Sequence, residues 1–290
     1  MRIGVVQLID GGPGRGLDFI RESAVAVEER GFASYWAPDH VLFFDEIEST
    51  YPYNESGKAI VNQKQGFLEP LLLLAAAATA TTRVRLGTSV EVVPLRHPVE
   101  RSKQVATLDI LSGGRFDYGV GLGWMKEEFD ACGIDFATRG RRTDEFLAAC
   151  KALWESETSN FEGEFFHFQN ALAYPKPAQS PHPPILVGGV SRPALRRAAK
   201  HDGWYGWNLT IDELDSALST LDGELESQGR KRGDGYLIYL GMQIGRKTGP
   251  VDEYADQLRE RGVDQFILGL PLSPTTLHSR LDDFVPLLGA

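Results

Sequence analysis

Segments of strand character and segments of helix character alternate eight times along this chain, and that rhythm leaves few folds open. Short apolar runs rich in branched and aromatic residues lie at Ile3–Leu8, Ser34–Ala37, Val84–Val90, Phe116–Gly121, Ile185–Gly188, Gly203–Trp207, Leu237–Ile244 and Gln265–Leu270. After the first, Leu17, Ile20, Ala24 and Val27 recur at the spacing of one helical face, and Gly31 supplies a stop. Further helices are predicted around Glu69–Thr81, His97–Leu111, Thr143–Trp154, Ser191–Lys200, Ile211–Gln228, Val251–Arg261 and Thr275–Leu288. Eight strands, each followed by a helix, predict an α/β fold: one (β/α)8 TIM barrel occupying residues 1–290 as a single domain. An open doubly wound sheet is the alternative.

Two segments interrupt the rhythm. Leu42–Gly66 is a polar, aromatic-spotted loop longer than ordinary connections. Phe161–Pro184 holds a candidate hairpin, FEGEFFHF, followed by several prolines. Both are read as insertions after even-numbered strands, two and four, where barrel loops line an active-site mouth.

Composition narrows the partners. A net charge of −10 argues against nucleic acid and against an anionic membrane surface. No apolar stretch is long enough to span a bilayer, and MRIGVVQLID reads as a first strand rather than a cleaved signal. Cys132 and Cys150 form no disulfide framework and fit a reducing cytosol. A cytoplasmic enzyme with a small-molecule substrate is the expectation, and the apolar helices allow a homodimer.

Three places could carry chemistry. Gly119, Gly121 and Gly123 close the fourth strand in the run LSGGRFDYGVGLGW, where glycines could expose bare backbone to a flat ligand or merely let strands pack closely. A dinucleotide fingerprint is rejected: the third spacing is wrong, the strand is the fourth, and Arg139 stands where an acid belongs. In ILVGGVSRPALRRAAK, Gly188 and Gly189 end a strand, and Ser191 stands at the N-cap of a helix whose free amides could hold a phosphate. Asp39 and His40 follow the second strand and could hold a ligand and move a proton. His97, His182, His201 and His278 show no metal-ligand spacing, so no metal is expected, and neither a GxSxG elbow nor a Cys–His pair suggests a covalent hydrolase. Arg139, Arg141 and Arg142 read as a solvated helix start that could also meet an acidic ligand tail.

Taken together, GFASYWAPDHVL (Gly31–Leu42), the stretch Arg83–Trp124, Glu127–Trp154 and Pro175–Trp204 resemble the luciferase-like monooxygenase superfamily, and within it the branch that uses the deazaflavin coenzyme F-420. The resemblance covers most of residues 31–207. It implies a cofactor ring against a bulge at the end of strand three, where the family often has a non-proline cis peptide, here Ser89–Val90. It further implies Asp39 hydrogen-bonded to the cofactor, Leu122 and Gly123 against its ring or ribityl chain, and Gly188, Gly189, Val190 and Ser191 on its phosphate. His40 would face the hydride-transfer side as catalytic proton donor or acceptor. The branch's sugar-phosphate dehydrogenases carry a glutamate where Trp124 stands, so that acid and its proton chemistry are expected to be missing. Phe43, Phe44, Trp124 and Trp207 then suggest an aromatic pocket for a flatter, less polar substrate. Glu127 and Glu128 are expected to face solvent. FMN with oxygen activation is the alternative cofactor chemistry, and a non-catalytic flavin-binding barrel is the third reading.

Overall fold

The computed structural model describes residues 1–8, 12–53, 56–58, 63–244 and 249–289; positions 54, 55 and 59–62 of the first long loop thus lie outside the described residues. Its eight barrel strands are β1 (Arg2–Gln7), β2 (Ser34–Ala37), β3 (Arg85–Thr88), β4 (Phe116–Gly121), β5 (Ile185–Gly188), β6 (Gly203–Trp207), β7 (Leu237–Gln243) and β8 (Gln265–Leu270). Every neighbouring pair is parallel. Two pairings close the cylinder: Arg2↔Gln265 through Gln7↔Leu270 join β1 to β8, and Leu86↔Phe116 joins β3 to β4. The eight-stranded barrel is therefore the fold, and the open sheet is excluded.

Side chains alternate across the strands with period two, as a closed sheet requires. Ile3, Val5, Tyr35, Leu86, Tyr118, Val187 and Phe266 point outward into the layer shared with the helices. Val6, Trp36, Leu186, Tyr205, Tyr239 and Ile267 fill the cylinder itself. Glycines opposite the large rings make that filling possible: a Cβ on Gly87 would stand 2.2 Å from the Trp36 ring, and one on Gly241 would stand 2.3 Å from Trp207. Below them Arg85 pairs with Asp117, and Gln265 and the Trp36 indole converge on the Ser34 hydroxyl.

The outer helices are α1 (Leu17–Glu29), α2 (Pro70–Ala80), α3 (Pro98–Ser112), α4 (Arg139–Glu155), α5 (Arg192–Ala198), α6 (Ile211–Glu226), α7 (Val251–Glu260) and α8 (Leu277–Asp282). Their ends obey local chemistry. Proline occupies the first turn of α2 and α3, Gly113 closes α3 in the left-handed region at φ 65°, and Thr210 with Glu213 forms a capping box on α6. No helix among the described residues is long and apolar enough to cross a membrane.

Three expectations are corrected. The third strand stops at Thr88 instead of running to Val90, although the bulge through a cis Ser89–Val90 peptide is the one the resemblance implies, and the chain resumes as Glu91–Val92 beside Val120 and Gly121. The second insertion follows helix α4, so it does not sit at a strand's C-terminal end. Its hairpin (Ser159–Glu162 and His167–Ala171) packs along α4, with Phe165 and Phe166 under Arg142, and the chain then returns to the lower rim, where Gln179 bonds Asp109 and the Phe116 carbonyl. Finally, α4 begins at Arg139, and its arginines are engaged. Arg139 lies 3.8 Å over the Phe136 ring, Arg141 pairs with Glu164, and Arg142 bonds the Pro94 carbonyl at 3.1 Å.

Candidate functional site

The glycine run on β4 has a packing cause. A Cβ on Gly119 would fall 1.9 Å from the Thr88 carbonyl oxygen, and one on Gly121 would fall 2.6 Å from the Val90 side chain. These glycines admit the bulge at the end of β3, so the bare backbone is covered by the protein itself and not left for a ligand. Gly123, at φ 78°, likewise has Val92 and Phe129 within 2.8 Å of where a Cβ would be. Consequently Val90 is pushed towards the upper rim, where it, Leu8 and Trp207 are half-buried and rest on the inner stack of side chains. This apolar trio forms the floor of the mouth. Beside it the Ser89 hydroxyl meets the Tyr205 hydroxyl at 2.8 Å.

Asp39 and His40 emerge from β2 in opposite surroundings. The Asp39 carboxylate accepts the Val92 amide at 2.9 Å and two bonds from the Arg96 guanidinium at 2.9 and 3.1 Å. Its side chain is 1% exposed. It is thus turned into the protein, where Glu91 lies 3.5 Å from Arg96, 2.9 Å from Arg101, and accepts the Tyr118 hydroxyl at 2.6 Å. Burial pushes both carboxyls above the ordinary carboxylate range, while Arg96 and Arg101 pull them back. This network ties the end of β2 to the bulge and to α3.

His40 faces the mouth, and here the expectation for Glu128 fails. Glu128 is fully buried; it meets His40 Nδ1 at 3.0 Å and accepts the amides of Val41 and Leu42. Glu127 is also occupied, accepting the Ser49 hydroxyl at 2.7 Å and the amides of Ser49 and Glu48. Burial raises the Glu127 carboxyl, but the Ser49 hydroxyl and the backbone amides of Glu127, Ser49 and Glu48 outweigh it and hold the group at about 2. The two acids therefore fasten the first long loop over the mouth. The carboxylate beside His40 thus comes from Glu128, one helical turn after Trp124, on the short helix Lys126–Ala131. The signal was present: Met125, Glu128 and Phe129 sit at i, i+3 and i+4, and the two apolar members are fully buried, so Glu128 shares their inward face.

Around His40 the rings gather. Phe43 lies 4.8 Å away, Phe67 6.3 Å and Trp124 5.7 Å, while Tyr51 reaches Trp124 at 5.2 Å. The Trp124 indole N–H donates to His40 Nε2 at 3.2 Å. Phe67 and Tyr51 went unread in the sequence because the loop has no periodicity. Phe44 is half-buried in the same loop, and Trp207 belongs to the floor rather than to this cluster. On the β5 rim Gly189 adopts φ 109°, its carbonyl accepts the Trp204 indole at 2.7 Å, Val190 is 42% exposed, and the Ser191 hydroxyl caps α5 by accepting the Ala194 amide. Leu122 is half-buried beside the start of α4.

A family model described as luciferase-like monooxygenase matches residues 1–274. An uncharacterised protein of Mycobacterium tuberculosis is 35% identical over 246 residues, 85% of this chain and 83% of that protein. The FMNH(2)-dependent dimethylsulfone monooxygenase of Pseudomonas putida is 33% identical over 157 residues, 52% of this chain and 42% of its own length. Among solved structures, an F-420-dependent secondary alcohol dehydrogenase in complex with an F-420–acetone adduct superposes with a TM-score of 0.77 at 16% identity, over 99% of this chain and 98% of that one.

Proposed function

Because the chain belongs to the luciferase-like monooxygenase family, we propose that it is an oxidoreductase that uses coenzyme F-420 to move a hydride to or from a small apolar or aromatic substrate. The observation that carries this reading is the pairing of an apolar floor with a polar ring at its edge. Leu8, Val90 and Trp207 offer a half-exposed seat that suits a flat heterocycle, and His40 stands at the rim with a carboxylate behind it. When bound, the deazaflavin supplies two-electron hydride exchange and reacts poorly with oxygen.

The protein does the rest. His40 holds or moves a proton at Nε2, the ring atom turned away from Glu128. Phe43, Phe67, Tyr51 and Trp124 exclude water from that atom, which strengthens every polar interaction made there. Gly188, Gly189, Val190 and Ser191 would hold the cofactor's phosphate through the backbone of the turn at Gly189, where the strand gives way to α5. Asp39 acts from behind: through Val92 and Arg96 it fixes the bulge that lifts Val90 into the floor. Leu122 and Gly123 border the seat on the β4 side, and Phe44 belongs to the loop above it.

A second reading has support from the 33% identity to an FMNH(2)-dependent monooxygenase, whose name indicates reduced FMN as the cofactor. Anaerobic titration of the apo-protein with F-420 and with reduced FMN, followed by quenching of tryptophan fluorescence, separates the two. Saturable binding of F-420 is the expected result. Binding of FMN alone selects the second reading, and binding of neither refutes both.

A further inference from the structure

His40 has two ring nitrogens, and each has a partner whose hydrogen-bonding role is fixed. Nδ1 meets Glu128 Oε2 at 3.0 Å, and Nε2 meets the Trp124 indole nitrogen at 3.2 Å. Glu128 is fully buried, and its other oxygen takes the amide N–H groups of Val41 and Leu42. A carboxylate can only accept, so the hydrogen between Glu128 and His40 belongs to Nδ1. An indole N–H can only donate, so Nε2 must present a lone pair. The two constraints select one tautomer from the surrounding network. Trp124 is half-buried and stands between His40 and Tyr51 of the overlying loop.

We propose that Glu128 is a positioning residue that holds His40 as the Nδ1–H imidazole, that Trp124 is a removable cap on the Nε2 lone pair, and that the site consequently favours ligands bringing an O–H or N–H donor of their own to Nε2. The inference rests on the functional reading above only in taking His40 as the group that meets the substrate. A ligand that displaces the indole and donates replaces one hydrogen bond with another. A ligand that presents a carbonyl or ether oxygen loses the indole bond and sets acceptor against acceptor, and sites built to bond a donor reject analogues lacking it. Trp124 is then a selector of substrate chemistry and not simply a wall of the pocket.

The test uses the apo-protein labelled with 15N-histidine, with His40→Asn to assign the signals. Long-range proton–nitrogen spectra should show a protonated Nδ1 and a bare Nε2 in the wild type. In the double variant Glu128→Gln/Trp124→Phe, where no indole donor remains on Nε2, the amide oxygen stays with the Val41 and Leu42 N–H groups and the NH2 turns to Nδ1, so the tautomer should flip to Nε2–H. Trp124→Phe keeps the ring, and keeps Glu128 on Nδ1; there the Nε2 signal should move while Nδ1 stays protonated. Phenol should shift Nε2 in the wild type and bind roughly 2- to 10-fold tighter to Trp124→Phe, the worth of one neutral hydrogen bond. Anisole, the same ring without the O–H, should do neither. A wild-type imidazole protonated on Nε2, an unchanged tautomer in the folded Glu128→Gln/Trp124→Phe double variant, or anisole acting like phenol overturns the proposal. If the double variant does not fold, Trp124→Phe and the phenol–anisole pair still decide. None of these measurements needs a cofactor, so a protein that binds neither F-420 nor FMN defeats the functional reading without touching this one.

Discussion

Replacing Arg96 by methionine tests whether the buried charges behind the mouth hold it together. Arg96 gives two bonds to Asp39 and lies 3.5 Å from Glu91, and those carboxylate side chains are 1% and 0% exposed. Methionine keeps most of the stem's packing and removes the charge. Glu91 retains Arg101 and the Tyr118 hydroxyl, but Asp39 is left with the Val92 amide. Breaking a buried pair in this way costs about 3–5 kcal/mol. For a chain of 290 residues the unfolding entropy near the midpoint is about 0.6 kcal/mol per degree, so Tm should fall by about 5–8 °C. The loss should depend on pH. Burial already raises the Asp39 carboxyl and Arg96 opposes that rise, so the variant raises it further. An acid whose folded pKa lies above its unfolded value contributes stability that is full below the unfolded pKa and is lost as pH climbs through the folded one. The penalty should therefore be smaller at about pH 5 than at about pH 8. Adding Asp39→Asn, which removes the stranded charge, should restore most of the loss. Urea unfolding of the wild type and both variants at both pH values gives the answer. A cost below about 1 kcal/mol, or one that does not change with pH, would mean the pair is not what anchors the bulge.

Other substitutions separate the closed interior from the mouth. Gly87→Ala puts a methyl 2.2 Å from Trp36, whose ring is fully buried, so overpacking of about 1–3 kcal/mol should lower Tm by roughly 2–5 °C; an unchanged Tm would show that the inner stack can yield. Gly121→Ala places its methyl 2.6 Å from Val90, which is half-buried at the rim and can shift, so stability should drop by about 1 kcal/mol or less while F-420 affinity falls about tenfold, read by fluorescence titration. Burial holds His201 down to about 3 from an ordinary 6.5, with Lys151 adding to the depression. The folded protein keeps this ring neutral while the unfolded chain takes up a proton, so stability should fall as pH drops from about 6.5 towards 3, and His201→Gln should flatten that limb of a urea-midpoint series.

The barrel was legible because its signals are local and repeated. Short continuous apolar runs such as Ile185–Gly188 and glycine or proline punctuation around α3 specify elements whatever the rest of the chain does. What escaped depends on distances between elements. Gly119 and Gly121 look alike whether a ligand or Val90 lies against them, and only closure between β3 and β4 brings the bulge there. Glu128 looked solvated because two adjacent acids at a helix start usually are, but the phase of a six-residue helix turned one inward. Asp39 was legible as important and not as internal, since its partner Arg96 lies 57 positions away. The hairpin at Ser159–Glu162 was assigned to the wrong end of the barrel: it follows a helix, and a chain leaving a helix in this architecture has returned to the bottom.

The filled interior sets traffic rules for the mouth above it. Among the described residues Trp36, Tyr205 and Tyr239 fill the bore, and the Arg85–Asp117 pair lies beneath them. Among the described residues the approach to Val90 and Trp207 is therefore from the upper side of the cylinder, and a guest seated there would be covered by whatever follows it.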